Sequence, residues 1–150
     1  MVENMIKKVA KKKEEKKSSN VINVFGSRKR SKARATLKEG KGRIRINGHL
    51  LDNYKPDFAR DKIMEPLMIA GDLANKVDIK IDVMGGGWRS QSDAIRLSIA
   101  RALVKFSGSK TLEKSFLDYD RNLIVADIRR KEQRKPNDSK ARAKRTKSYR

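Results

Sequence analysis

The chain has 150 residues, 38% of them charged and 37% hydrophobic, with no cysteine and a formal net charge of +21. That length predicts a single domain, and the absence of cysteine excludes disulfide frameworks, thiolate zinc sites and thiol nucleophiles. No apolar run approaches the roughly 20 residues that cross a bilayer, and the lysine-rich N-terminus lacks the apolar stretch of a secretory signal, so the chain is read as soluble and cytoplasmic, with no membrane partner.

The charge is unevenly placed. Residues 46–120 carry eleven basic and eleven acidic side chains, residues 1–45 carry sixteen and four, and residues 121–150 carry twelve and three. A neutral body with two basic ends is the footprint of a protein that meets a polyanion, and nucleic acid is the expected partner.

In chain order, residues 1–20 are a Lys/Glu-rich arm expected to be disordered, and residues 21–126 the globular domain. Val21 to Phe25 reads as a first strand stopped by Gly26. Ala33, Ala35 and Leu37 alternate with Lys32, Arg34, Thr36 and Lys38, and Ile44 and Ile46 alternate with Arg43 and Arg45. These two runs around the loop Glu39-Gly40-Lys41-Gly42 predict a β-hairpin with one apolar and one basic face. Like charges on that face repel, and a nucleic acid would relieve the repulsion.

Asp57 to Lys76 is predicted helical, with Ile63, Met64, Leu67, Met68 and Leu73 as its apolar positions. Pro66 is placed at the first turn of a helix, and Gly71 is expected to end or bend it. Val77, Ile79, Ile81 and Val83 alternate with Asp78, Lys80 and Asp82, which predicts a half-buried strand. The two aspartates are read as its solvated face. Ser90 to Ser107 is the longest predicted helix, with Ser90 as N-cap. Ile95, Ile99, Ala102, Leu103 and Phe106 form its buried stripe, while Arg96, Arg101 and Lys105 point outward. Trp88 is read as a lid on the core. A further helix spans Lys110 to Tyr119, and Leu123 to Val125 is the last apolar patch.

Residues 127–150 hold eleven basic and three acidic side chains and almost nothing apolar. Such a segment cannot repay the entropy of ordering. It is expected to be an extended basic tail, with Tyr149 able to stack on an exposed base.

Candidate chemistry is sparse. Gly85, Gly86 and Gly87 before a helix could cradle a phosphate, yet Trp88-Arg89-Ser90 follows where a nucleotide-binding motif would need Gly-Lys-Ser/Thr or a third glycine. A backbone contact to nucleic acid and a plain tight turn both remain open for this loop. His49, the single histidine, has no companions for a metal site or a general-base role. No catalytic residues, metal or cofactor are therefore assigned, and the chain is read as a non-enzyme. An RNA-processing enzyme would have to work through His49 and Asp82. A DNA-compacting protein would share the Lys-rich ends but needs an apolar minor-groove wedge, which the sequence lacks.

Five stretches, "RKRSKARATLKEGKGRIRINGHLL", "KIMEPLMIAGD", "VDIKIDVMGGGWRSQSDAIRLSIARALV", "FLDYDRNLIVADIRRKEQRKP" and "ARAKRTKSYR", occur in an order and spacing that resembles the small-subunit ribosomal protein nine family in its archaeal and eukaryotic form. The resemblance runs from about Val21 to Arg150. Ser90-Gln91 stands where the family usually reads Gly-Gln.

The resemblance implies an α+β fold: a mixed four-stranded sheet with helices packed on it and a left-handed βαβ crossover, where the general rule would favour the right-handed one. It implies a structural constituent of the small ribosomal subunit that binds rRNA of the subunit head beside neighbouring ribosomal proteins, and is not a homo-oligomer. Arg28, Lys29, Arg30, Lys32 and Arg34 match the family's rRNA-contacting start. Arg43 and Arg45 extend that basic face, Gly85, Gly86, Gly87, Arg89 and Gln91 form the loop contact, and Arg129, Arg130, Arg134, Lys140, Arg142, Lys144 and Arg145 line the tail. In the family the tail reaches the peptidyl-tRNA site, so Lys147, Tyr149 and Arg150 are the residues expected near the tRNA anticodon stem-loop.

Overall fold

The computed structural model describes residues 21–136 and 140–142. The Lys/Glu arm and the tail residues Lys144, Arg145, Lys147, Tyr149 and Arg150 lie outside them.

Five strands form one mixed sheet: β1 (Ile22–Arg28), β2 (Ser31–Glu39), β3 (Ile44–Ile46), β4 (His49–Leu50) and β5 (Val77–Met84), in the order β1-β2-β5-β3-β4. Four helices accompany it: α1 (Asp57–Ala70), α2 (Asp72–Asn75), α3 (Trp88–Ser107) and α4 (Lys110–Tyr119). The α+β class and the mixed sheet agree with the sequence reading. The strand count is five rather than four because His49 and Leu50 add a two-residue edge beside Ile46 and Arg45.

The predicted hairpin is not formed. β2 and β3 do not pair with each other, because β5 lies between them, antiparallel to β2 and parallel to β3. Period-2 alternation fixes which face a strand buries but not which strand it joins. Val77, Ile79, Ile81 and Val83 match Ala33, Ala35, Leu37, Ile44 and Ile46 in alternation, and all nine are buried. The hairpin of the fold is β1–β2 instead, with Arg28 opposite Ser31 and only Lys29-Arg30 between them.

Two side chains make the central insertion work. One carboxylate oxygen of Asp78 accepts hydrogen bonds from the N–H groups of Lys41 and Arg43, each at 2.9 Å. This closes the loop from β2 to β3 over the start of β5 and holds the Asp78 carboxyl below the usual carboxylate range. A Cβ on Gly40 would fall 2.1 Å from the Asp78 carboxyl carbon, so the loop needs glycine there. Beyond β3, the Asn47 amide donates to the Val83 carbonyl (3.1 Å) and its oxygen accepts from the Val83 N–H (2.8 Å), continuing the ladder with a side chain.

Helix α3 packs on β1, β2 and β5, and α1 packs on α3. Ile95, Ile99, Ala102 and Leu103 are buried as expected, and Phe106 is partly so. Gly26 does not stop β1 but lies within it. A Cβ there would fall 2.1 Å from the Ala94 carbonyl oxygen and 2.9 Å from the Ser98 nitrogen, so glycine is required by the closeness of the helix backbone.

The helical region 57–76 splits at Gly71, whose φ is 54°. Pro66 sits inside α1 rather than opening a helix, leaving the Lys62 carbonyl without its usual N–H partner. The buried face is Ala59, Ile63, Pro66 and Ala70, and Met64 and Met68 face outward. Helix α3 begins at Trp88 with Gly87 as N-cap, two residues before the predicted start. Trp88 is exposed, not a core lid.

Replacing Gly26 with alanine sets a methyl group against backbone atoms that no rotamer change can move. The substitution is expected to lower stability by roughly 1–3 kcal/mol, as overpacking does. The check is denaturant unfolding, with a lower midpoint at an unchanged slope.

Candidate nucleic-acid interface

Three elements meet at one end of the sheet: the β1–β2 turn, the glycine loop and the chain that follows Asp127. Lys29 takes a positive φ of 53° to make the two-residue turn. The glycine loop is fitted against this turn. The Ser31 hydroxyl donates to the Gly85 carbonyl at 2.9 Å, and the Gln91 amide donates to the same oxygen at 3.1 Å. A Cβ on Gly85 would lie 2.7 Å from the Arg30 carbonyl oxygen, and one on Gly86 would lie 2.2 Å from the Ser31 hydroxyl. Two of the three glycines are thus explained by packing. The Ser90 hydroxyl donates to the Gly87 carbonyl at 3.2 Å, in the first turn of α3.

Between the turn and the segment 129–134 lies an open cleft of about 800 Å³, with Gly86 and Ser90 on its wall. Lys29, Arg30, Arg129, Arg130, Lys131 and Arg134 line it. The one acidic lining residue, Glu132, has both carboxylate oxygens held by the Arg142 guanidinium, which lowers its pKa. A concave surface lined by six cations, of which Arg129 is paired with Asp127, carries the charge to attract phosphates.

The segment lining the cleft is tied to the body by a chain of ion pairs. The Lys62 ammonium lies 2.5 Å from Asp93, and Asp93 lies 3.6 Å from Arg28. Arg28 also contacts Asp127, whose carboxylate accepts from the Arg129 guanidinium and from the Arg129 N–H at 2.8 Å. Those hydrogen bonds from Arg129, with Arg28 behind them, hold the Asp127 carboxyl far below the usual range. Arg28, expected as an RNA contact, is mostly covered and engaged with two carboxylates.

Arg96 and Arg101, expected to point outward, are both structural. Arg96 is buried and bridges Glu65 on α1 and Asp120 after α4, each at 2.7 Å. Partial burial pushes the Asp120 carboxyl upward, but the Asn122 N–H and Arg96 outweigh it and its pKa is lowered. Arg101 donates to the carbonyls of Ile124 (2.8 Å) and Phe25 (3.1 Å), tying the chain after α4 to β1. Arg96 precedes Ile99 by three residues and Leu103 by seven, so helical periodicity does place it on the buried face.

Of the other expected residues, Lys32, Arg34, Arg43 and Arg45 form a second group, on the exposed face of the sheet. Arg34 lies opposite Phe25, with its guanidinium carbon 5.3 Å from the ring centre. Lys32, Lys38 and Arg45 alternate outward with it. That face is less uniformly basic than the sequence suggested, because β5 sets Asp82 opposite Arg34 and Asp78 opposite Lys38. Arg43 and Arg45 border a shallow depression of about 340 Å³ with Lys38 and Lys80. Arg89 and Lys140 are exposed outside both groups. His49 is exposed on the edge strand, and among the described residues no acidic or histidine cluster is arranged to hold a metal. No helix among them is long and apolar enough to cross a membrane.

The family model described as ribosomal protein S9/S16 matches residues 26–150, a span that takes in the basic turn, the glycine loop and the tail. The chain belongs to this family. Among curated proteins it is similar to "Small ribosomal subunit protein uS9" of Methanothrix thermoacetophila, 47% identical over 130 residues that cover 87% of this chain and 98% of that protein. The protein of the same name from Methanococcus maripaludis strain C7 is 47% identical over 132 residues, with the same coverage of each chain. The S9/S16 match begins at residue 26, so the Lys/Glu arm falls outside it.

Asp120→Asn leaves the Arg96 guanidinium short of one charged partner. It is expected to lower stability at neutral pH by roughly 1.5–3 kcal/mol, the range for a hydrogen bond to a charged group. The lowered pKa of Asp120 means that its contribution is present above about pH 4, the unfolded-state value, and fades as pH falls through the folded one. Unfolding curves between neutral pH and pH 3 should therefore show the variant losing less stability on acidification than the parent.

Proposed function

We propose that this chain binds rRNA in the head of the small ribosomal subunit through its turn, cleft and sheet face, and sends its C-terminal tail towards the peptidyl-tRNA site. As a member of the S9/S16 family it is a structural constituent of the ribosome, acting in translation in the cytoplasm, and not an enzyme. The observation that carries the finer reading is the cleft at the root of the tail. Six cations converge there, on the β1–β2 turn and on a segment whose start is tied to the body through Asp127 and Arg28.

The mechanism is phosphate neutralisation with release of counterions. Lys29, Arg30, Arg129, Arg130 and Arg134 take phosphates at the cleft. Lys32, Arg34, Arg43 and Arg45 take them on the sheet face, and Arg89, Lys140 and Arg142 extend the contact. Arg28 supports the site from beneath rather than touching RNA. Gly85 and Gly86 allow the loop to lie against the turn, and with Gly87 and Gln91 they shape the wall that RNA approaches. Such contacts position the protein and carry little sequence information. Beyond the cleft, Lys144 and Arg145 continue along rRNA, and Lys147, Tyr149 and Arg150 meet the anticodon stem-loop of the peptidyl-site tRNA. Neighbouring proteins of the subunit head complete the environment.

Cutting the chain after Arg142 tests the tail separately from the anchor. Subunits carrying the shortened protein should sediment as normal small subunits and hold peptidyl-site tRNA less tightly. Filter binding of labelled tRNA to purified subunits measures this, and equal retention by cut and intact subunits would remove the tail from the reading.

A further inference from the structure

We infer that Asp127, an acid at the root of the basic C-terminal segment, is the positioning residue that assembles the phosphate-binding cleft. This rests on the reading that the cleft meets RNA. Asp127 follows the last helical turn, in a segment without regular secondary structure, yet its side chain is only 12% exposed. On one side it meets Arg28 at the end of β1, which is itself held by Asp93 on α3. On the other it accepts the Arg129 N–H at 2.8 Å and the Arg129 guanidinium at 2.6 and 2.9 Å. The carboxylate therefore fixes the backbone two residues further on, where the lining segment begins. One wall of the cleft, Lys29 and Arg30, continues directly from Arg28, and the other, residues 129–134, begins two residues after Asp127. The Arg28–Asp127 pair is the clasp between the two walls.

This role separates from bulk electrostatics by sign. Asp127→Asn raises the net positive charge by one, so attraction to a polyanion alone would strengthen RNA binding. If the carboxylate instead holds the wall in place, the binding-competent fraction falls and apparent affinity falls with it. Affinity is then expected to drop about three- to tenfold.

The experiment uses the full chain and a short oligouridylate as probe, with binding followed by fluorescence anisotropy at several salt concentrations. Asp127→Asn should bind more weakly and show a shallower dependence of log affinity on log salt. Asp118→Asn, an equal charge change at an exposed site on α4, should bind as tightly as the parent or slightly more so. Amide hydrogen exchange should quicken at Arg129 in Asp127→Asn while the sheet amides remain protected. Tighter binding by Asp127→Asn, or unchanged exchange at Arg129, would overturn the positioning role and leave the RNA reading intact. Failure of the parent to bind the probe at any salt would count against the RNA reading itself. If Asp127→Asn does not fold, an NMR titration of the parent decides. Amides of Lys29, Gly86, Arg130 and Arg134 should respond to the oligouridylate with one common affinity, and separate affinities for the two walls would overturn the single clasped cleft.

Discussion

The structure depends on how closely helix α3 lies against strand β1. The approach is set by Gly26, where the Ala94 carbonyl and the Ser98 nitrogen occupy the space of a side chain. Ala33 and Ala35 on β2 keep the neighbouring surface low, and Ala94 answers them from the helix. Interiors pack at crystal-like density, so a helix admitted this near must stay near. The consequences run outward from that contact. Arg101 can reach the Phe25 carbonyl, Asp93 can reach Arg28, and the glycine loop that leads into α3 is drawn onto the β1–β2 turn.

From this follows a division among the arginines. Arg28, Arg96 and Arg101 have carboxylate or carbonyl partners within the fold and serve as cross-braces between elements distant in sequence. Arg30, Arg130 and Arg134 line the open cleft, and Arg45 stands on the outer face of β3. A guanidinium presents several donors in a rigid plane, which suits it to bridging two acceptors at once. Arg96 does so between Glu65 and Asp120, and lysine would not span that gap in the same way. Net charge alone overstates how much of the basic surface is available to RNA.

Much of this was legible in the sequence, and the rest was hidden for identifiable reasons. Val77 to Val83 alternates so regularly that its strand was certain to be half-buried, and the apolar stripe of α3 stood out at helical spacing. The partner of each strand was not legible. Nothing local in residues 32–46 reveals that a strand some thirty residues later will separate its two halves, because pairing is decided by the assembled sheet. Asp78 read as a solvated side chain because its acceptors' partners, the N–H groups of Lys41 and Arg43, belong to a loop whose shape exists only once β5 is in place. Arg96 was legible from its spacing to Ile99 and Leu103, which places it on the buried face although its charge argues for solvent. The cleft itself was half visible: both basic stretches stand out in the sequence, while their meeting depends on Arg28 and Asp127.

The central place of β5 also bears on how the chain comes into being. During synthesis, β1 and β2 are complete by residue 39, yet the inner edge of β2 has no partner until residues 77–84 have been added. The same holds for β3, whose side-chain ladder through Asn47 needs Val83. Pairings of such sequence separation slow folding relative to helical domains of similar size. Until then the basic hairpin has an open edge. The order of the strands thus leaves both halves of the basic N-terminal region unable to complete the sheet until β5 is made.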